Sequence, residues 1–374
     1  MSLLLAFRRW WAILFVAVLC LPAIGHFLPD LPAPMRTVVA PEARWWEEAN
    51  KRMDPYLNNT FGFRGAVLAA HGAYVRFIGA PRGPSVLRGT DGSLFYTGDH
   101  ALEQSVGQLL RPAQVSQFVD WVRSLKREIE PWGGRLVVVI APNAQTIQFD
   151  HLPDYARRQM KRPTEYDLLD QDLAKAGIPH ADLRPRLLAA KADAPVYWRF
   201  DTHWNQRGAL IGFNAALAAI GRADLEINPD EALGPPEPRT DGDLVRLTGN
   251  GTSEPADVQY PVKPPVAVDA ASLTPLPGIA QARSPRFPFP PLAFETGHPG
   301  PRIMVIGDSF TYGLWKDYLA YRSSAFVWTH HLFCRGDPAP IARFKPDILI
   351  VAAAERLFPC PLKVPEWAES ELRR

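Results

Sequence analysis

Cysteine is nearly missing from this chain: three thiols serve 374 residues, at positions 20, 334 and 360. So few cannot furnish a cysteine-based zinc site without help, and His330 and His331 beside Cys334 lack the remaining ligands at a recognisable spacing. No metal and no other cofactor is therefore expected. An excess of charge of one sign is lacking too. Lys and Arg number 41 against 39 Asp and Glu, giving a net +2, and the two signs are interspersed. Without a basic stripe, a nucleic-acid partner is not expected. Internal repeats of useful length are also missing. Proline, by contrast, is abundant at 38 residues and points to many ordered loops, while an apolar content of 47% supports a substantial core.

Long apolar runs are rare, and the one that exists opens the chain. Arg8 and Arg9 precede an almost uncharged run from Trp10 to Leu28, with His26 near its far end. About twenty such residues span a bilayer, and positive charge before them keeps the N-terminus inside. The expectation is a cytoplasmic stub and transmembrane signal-anchor over residues 1–29, in the inner membrane, with the rest in the periplasm. Cleavage of a signal peptide near Ala23-Ile24-Gly25 is the alternative; continuation of the apolar run past that point favours the anchor. Leu19 before Cys20 does not suit a lipoprotein site. With Cys20 in the span, Cys334 and Cys360 remain as an even pair, a disulfide candidate outside the cytoplasm. Residues 30–84 read as a stalk, in which Arg44-Trp45-Trp46 is either a packing helix or a sugar platform, and residues 85–374 as one domain.

Within that domain the periodicity alternates between helix and strand. Val115, Phe118, Val122, Leu125 and Ile129 share a face of a helix from Pro112 to Glu130, bounded by Pro112 and Pro131. Leu136 to Ala141 reads as a buried strand, about Thr164 to Ala176 as a helix ending at Gly177, and Ile178 to Leu183 as a further strand. Asn205 suits the N-cap of a helix from Gln206 to Ile220, with Gly221 at its stop. Strands at Arg302–Ile306, Ala325–Thr329 and Ile348–Ala353 complete the pattern. Such alternation predicts a three-layer α/β/α fold with a mainly parallel sheet. Between Asn228 and Pro301 a Pro-rich, aperiodic insertion interrupts it. Long loops of this kind border functional clefts, and Phe287, Phe289 and Phe294 suit either sugar stacking or packing.

Two short strings carry chemistry. Gly307-Asp308-Ser309-Phe310 follows an apolar strand, so Ser309 falls where open α/β sheets place ligands. Gly307 marks a tight turn or a close approach of chains. A helix starting near Ser309 would present N–H groups to an oxyanion; read alone, Asp308 and Ser309 also suit helix caps. In Asp201-Thr202-His203-Trp204, the Asp and His lie two residues apart, on one face of an extended segment. Val196 to Phe200 before them is β-prone. A structural Asp–His bond is the alternative there. Together the strings hold a nucleophile (Ser309), a general base (His203) and an orienting carboxylate (Asp201), the set used in acyl transfer.

On these residues the chain resembles the alginate O-acetyltransferase family (AlgJ/AlgX-like), whose domain is a circularly permuted SGNH hydrolase fold with the Asp/His string before the serine. Softer matches are Asn59-Thr60-Phe61-Gly62-Phe63-Arg64, Asp91-Gly92-Ser93-Leu94-Phe95-Tyr96, Asp241-Gly242-Asp243-Leu244, and Pro346 to Ile350 with Glu355-Arg356. Ser93 stands where the family usually has Trp, and Val351 to Ala354 is small and apolar where it often carries an acidic or aromatic residue. The resemblance implies acetylation of an exported polysaccharide through an acetyl-serine, fed by a membrane-bound O-acyltransferase. An acetylesterase with the same residues and a non-catalytic glycan-binding scaffold are the alternatives. The second oxyanion donor is not evident; Asn143 is one candidate, although a loop-capping role suits it better.

Overall fold

The computed structural model describes residues 8–25, 70, 85–248, 257–282, 287–358, 360, 364 and 366–372. The expected features at Asn59–Arg64 and Arg44–Trp46, and most of the stalk, lie outside them. The chain divides into one unit of residues 1–86 and 240–255 and another of residues 87–239 and 256–374.

In the first unit, α1 spans Arg8–Gly25 and is 18 residues long. It begins with both arginines, and the last residues of the expected run, His26 to Leu28, lie outside the described residues. Among the described residues, no helix is long and apolar enough to cross a membrane. The expected transmembrane helix is thus unsupported by the structure.

The second unit holds the site. In chain order its main elements are β1 (Val86–Arg88), β2 (Leu94–Tyr96), α2 (Pro112–Ile129), β3 (Arg135–Ala141), α3 (Glu165–Lys175), β4 (His180–Ala181), α4 (Gln206–Ala219), β5 (Glu237–Arg239) and β6 (Asp257–Gln259). They continue with β7 (Thr274–Pro275), β8 (Leu292–Glu295), β9 (Arg302–Gly307), α5 (Ser309–Tyr312), α6 (Lys316–Arg322), β10 (Ala325–His330), α7 (Ala339–Phe344) and β11 (Ile348–Ala354). A seven-stranded sheet runs in the order β4-β3-β11-β9-β10-β8-β7. Its first five strands are parallel, while β8 and β7 run antiparallel at one edge.

The central strands are buried on both faces, and successive side chains alternate between two cores. Val137, Val139, Ile303, Val305, Ile348 and Ile350 face one core with Phe213 of α4 and Tyr318 of α6. Leu136, Val138, Met304, Ile306, Leu349 and Val351 face the other, against Phe118 of α2, Leu169 of α3 and Phe344 of α7. Three layers result.

Two expectations are corrected. The strand foreseen at Ile178–Leu183 is only His180–Ala181, because Asp182 turns to accept hydrogen bonds from Arg184 N (3.0 Å) and Nε (2.9 Å). The Pro-rich insertion, read as aperiodic, contributes β5 to β8, and two of these strands extend the sheet. Pro275 is tolerated in β7 because that strand is an edge.

Candidate active site

Ser309 lies just beyond β9, at the end where the parallel strands β3, β9, β10 and β11 all terminate. Gly307 is required there. A Cβ at that position would sit 2.2 Å from Thr311 Oγ1 and 3.0 Å from Trp328 Nε1, so only glycine lets the turn close on β10. Asp308 then caps the following turn, its Oδ1 accepting from Phe310 N at 2.9 Å. Its Oδ2 accepts from Ala354 N at 2.6 Å and faces His331 Nε2 at 3.6 Å. Burial opposes ionisation of Asp308, but these partners outweigh it and hold the carboxyl at about 2. A fixed negative group therefore pins β9 to β11 immediately before the serine. The helix α5 is only four residues long, so the assistance its dipole can lend is small.

The Asp/His string is held by a tight loop and not by the extended segment foreseen. Among the described residues, the β-prone stretch from Val196 to Phe200 makes only an isolated bridge, Tyr197 to Trp204. Trp198 N donates to His203 O (3.3 Å) and Asn205 N to Val196 O (3.1 Å), folding the loop on itself. Asn205 caps α4 as expected, its Oδ1 accepting from Gly208 N at 3.1 Å. At Gly208 a Cβ would stand 2.3 Å from Val196 O, so glycine lets α4 start against the loop.

These two local structures bring the three residues together. His203 Nε2 lies 2.9 Å from Ser309 Oγ, and His203 Nδ1 lies 2.7 Å from Asp201 Oδ1. Asp201 Oδ1 also accepts from the backbone N–H of His203 at 3.1 Å, a turn that replaces the extended face as the source of alignment. An ionised carboxylate can only accept, so it keeps the imidazole proton on Nδ1, which donates to Asp201, and leaves Nε2 to accept from the serine hydroxyl. Asp201 is buried, which resists its charge. Hydrogen bonding and the charges of His203 and Arg239 more than compensate and hold it well below the ordinary carboxylate range.

Several residues at the site carried no role in the sequence reading. Trp204 donates from Nε1 to Phe310 O at 2.8 Å, and the two rings meet edge to face at 5.4 Å. The last letters of both strings thus fasten them to each other. Arg239 Nη2 donates to Asp201 Oδ2 at 2.9 Å. Phe310 lies between the His203 ring (4.9 Å) and the Arg356 guanidinium (5.0 Å), and Arg356 also covers Tyr96 (5.3 Å). A basic residue in a Pro-rich insertion gives no local sign of its target; aromatic residues flanking the motif letters are a signal that could have been read.

Other candidates fall elsewhere. Asn143 is buried, and its Nδ2 donates to Ala101 O and Ser105 Oγ, both at 3.2 Å, which commits both amide hydrogens to structure. Glu355 Oε2 accepts from Asn143 N (2.8 Å) and Thr146 Oγ1 (2.7 Å), while burial lifts its pKa to about 7. Phe289 stacks on His330 at 5.2 Å, Phe294 packs on Phe326 at 5.6 Å, and Phe287 is buried, so packing accounts for all three. His330 and His331 accept through Nδ1 from Leu332 N (2.9 Å) and Phe333 N (2.8 Å). They hold a turn in which Leu332, Phe333 and Cys334 all have positive φ. Cys334 is joined to Cys360 with a Cα separation of 5.6 Å.

Comparison with known proteins gives this geometry a family. A family model described as "SGNH hydrolase-like domain, acetyltransferase AlgX" matches residues 86–283, more than half of the chain. The match includes Asp201 and His203 and ends before Ser309. The probable alginate O-acetylase AlgJ of Pseudomonas syringae pv. tomato is 32% identical over 111 residues, 29% of this chain and 28% of that protein. Its counterpart in Pseudomonas aeruginosa is 31% identical over 133 residues, 34% and 30% of the two chains. The chain therefore matches less than a third of the length of these two curated relatives. Among solved structures, Bacillus cereus PatB1 superposes with a TM-score of 0.54 at 13% identity, covering 74% of this chain and 99% of that one. A DHHW family protein from Eubacterium siraeum gives 0.52 at 13% identity, covering 77% and 95%. At such identities the shared feature is the fold, an SGNH hydrolase-like α/β domain built here on a mixed sheet.

Proposed function

The chain belongs to the SGNH hydrolase-like acetyltransferase (AlgX) family, and from that premise we propose that it O-acetylates an exported polysaccharide through an acetyl-serine intermediate. The observation that carries the reading is the hydrogen-bonded line from Asp201 through His203 to Ser309, at 2.7 and 2.9 Å. In the first half-reaction, His203 Nε2 takes the Ser309 proton as Oγ bonds to the acetyl carbonyl carbon. The donor's leaving oxygen departs with that proton. In the second, His203 takes a proton from a sugar hydroxyl as its oxygen attacks the acetyl carbon, the Oγ–acetyl bond breaks, and His203 returns the proton to the departing Ser309 Oγ. Asp201 stabilises the imidazolium formed in each half and keeps Nε2 aimed at Ser309.

The polysaccharide acceptor is supported by the names of the relatives, which are alginate O-acetylases. Placement outside the cytoplasm is supported by the apolar helix behind Arg8 and Arg9, and by a disulfide, which persists in oxidising compartments. A membrane-bound O-acyltransferase is the proposed acetyl source, because this domain would otherwise need a donor carried across the bilayer. The test is transfer of labelled acetyl from an activated ester to candidate polysaccharides. Labelled polymer with the unsubstituted protein, and none with Ser309→Ala, is the expected result. Release of free acetate alone would favour the esterase, and no turnover of any kind would favour the scaffold.

A further inference from the structure

The Pro-rich insertion reaches the Asp/His loop from behind. β5 and β6 pair antiparallel, with Arg239 directly opposite Asp257. Asp257 Oδ2 accepts from Arg199 N at 2.6 Å and Phe200 N at 3.2 Å, gripping the two residues that precede Asp201. Tyr260 N, just past β6, donates to Gln206 Oε1 at 3.0 Å on the far side of the same loop. From the end of this ribbon the Arg239 guanidinium sits over the Trp198 ring, Cζ to centroid 3.9 Å, and hydrogen-bonds Asp201 Oδ2. Both partners are shielded, with side chains 13% and 5% exposed.

We propose that Arg239 is a positioning residue of the acyl-transfer site, fixing the plane of the Asp201 carboxylate and through it the direction of His203 Nε2. This deepens the acetyl-serine reading and rests on it. Asp201 has one rotatable bond beyond Cβ, and its Oδ1 alone is bound by His203. Both bonds from His203, ring and backbone, fall on that one oxygen, so a second anchor, a bond to the other oxygen, opposes rotation of the carboxylate and of the imidazole with it. Arg239 supplies the anchor at Oδ2, and Trp198 holds the guanidinium in its plane. Lysine cannot reproduce this, because an ammonium has no planar fork to stack and bond at once. The order of transmission is Trp198, Arg239, Asp201, His203, Ser309.

The test measures the rate at which phenylmethylsulfonyl fluoride labels Ser309 in the full chain. There the Ser309 Oγ–S bond forms, the S–F bond breaks, fluoride leaves, and the serine proton passes to His203. Arg239→Met should retain the fold by circular dichroism and label about ten- to a hundredfold more slowly, as expected for a misaligned base. Arg239→Ala should recover part of that loss when tens of millimolar guanidinium chloride is added, and none with sodium chloride at equal ionic strength. A merely structural arginine would not give this rescue. Should the Met and Ala variants fail to fold, Arg239→Lys decides, since it keeps the charge and the stem; it should label more slowly than the unsubstituted protein. Labelling of a folded Met or Lys variant at the unsubstituted rate overturns the proposal alone. Absence of labelling in the unsubstituted protein would sink the acetyl-serine reading and this inference together.

Discussion

Replacing Trp204 with Phe should separate the two motif strings without altering Asp201, His203 or Ser309. The indole Nε1–H is the donor to the Phe310 carbonyl at 2.8 Å, and both residues are fully buried. Phenylalanine leaves that carbonyl without its donor, at a cost of about 1–3 kcal/mol. The missing part of the indole leaves a void beside Trp315, which stacks on Trp204 at 6.3 Å, and beside Gly212. Partial collapse of such a void costs about 1–2 kcal/mol more. The sum is about 2–5 kcal/mol, which for a domain of this size lowers the melting midpoint by roughly 5–15 °C. Because Phe310 adjoins Ser309 and Trp204 adjoins His203, the same change should loosen the 2.9 Å Ser–His contact and slow sulfonyl labelling at least about tenfold. Differential scanning calorimetry and labelling kinetics on one preparation measure both effects. A midpoint and a labelling rate indistinguishable from the unsubstituted protein would refute the argument that the motif's last letters hold the site together.

Gly307→Ala should destabilise the domain by about 1–3 kcal/mol through overpacking, since its Cβ would displace Thr311 Oγ1, which accepts from Trp328 Nε1 at 2.9 Å; thermal unfolding measures it. Cys334→Ser with Cys360→Ser should cost about 3 kcal/mol by loop entropy. It should also free the left-handed turn beside His331, so Ser309 labelling should slow along with the fall in midpoint. Glu355 has its pKa raised by burial from 4.5 to about 7, so the folded state holds its proton more tightly than the unfolded state does. The resulting stabilisation is full below about pH 4.5 and is lost as pH rises through 7, amounting to about 3 kcal/mol. Glu355→Gln keeps a neutral acceptor for Asn143 N and Thr146, so the fall in midpoint between pH 5 and 8 should flatten; an unchanged slope contradicts the assignment.

Periodicity made the parallel half of the sheet legible. Arg302–Ile306 and Ile348–Ala353 are continuous apolar runs because both faces of those strands are buried, and each was placed to within a residue. The edge strands β7 and β8 were invisible for the opposite reason. Both are short, β7 is exposed and holds Pro275, β8 is only partly buried, and tertiary pairing creates them, β8 on β10 and β7 on β8. At the site, Ser309, His203 and Asp201 could be named from residue type and local context, but Arg239 could not. Its partner lies 38 positions away, on the other side of α4 in the chain, and Arg239 itself sits in a stretch without periodicity. The turn at Leu332–Cys334 was equally hidden, since nothing in Leu-Phe-Cys announces positive φ; two imidazoles and a disulfide impose it.

The most direct test of the central claim is peptide mass mapping after brief exposure of the full chain to an activated acetyl ester. The account predicts one added acetyl group on the peptide containing Ser309, absent from Ser309→Ala and discharged when an acceptor polysaccharide is added. No acetyl on Ser309 under conditions where the protein turns over the ester, or undiminished turnover by Ser309→Ala, would contradict it.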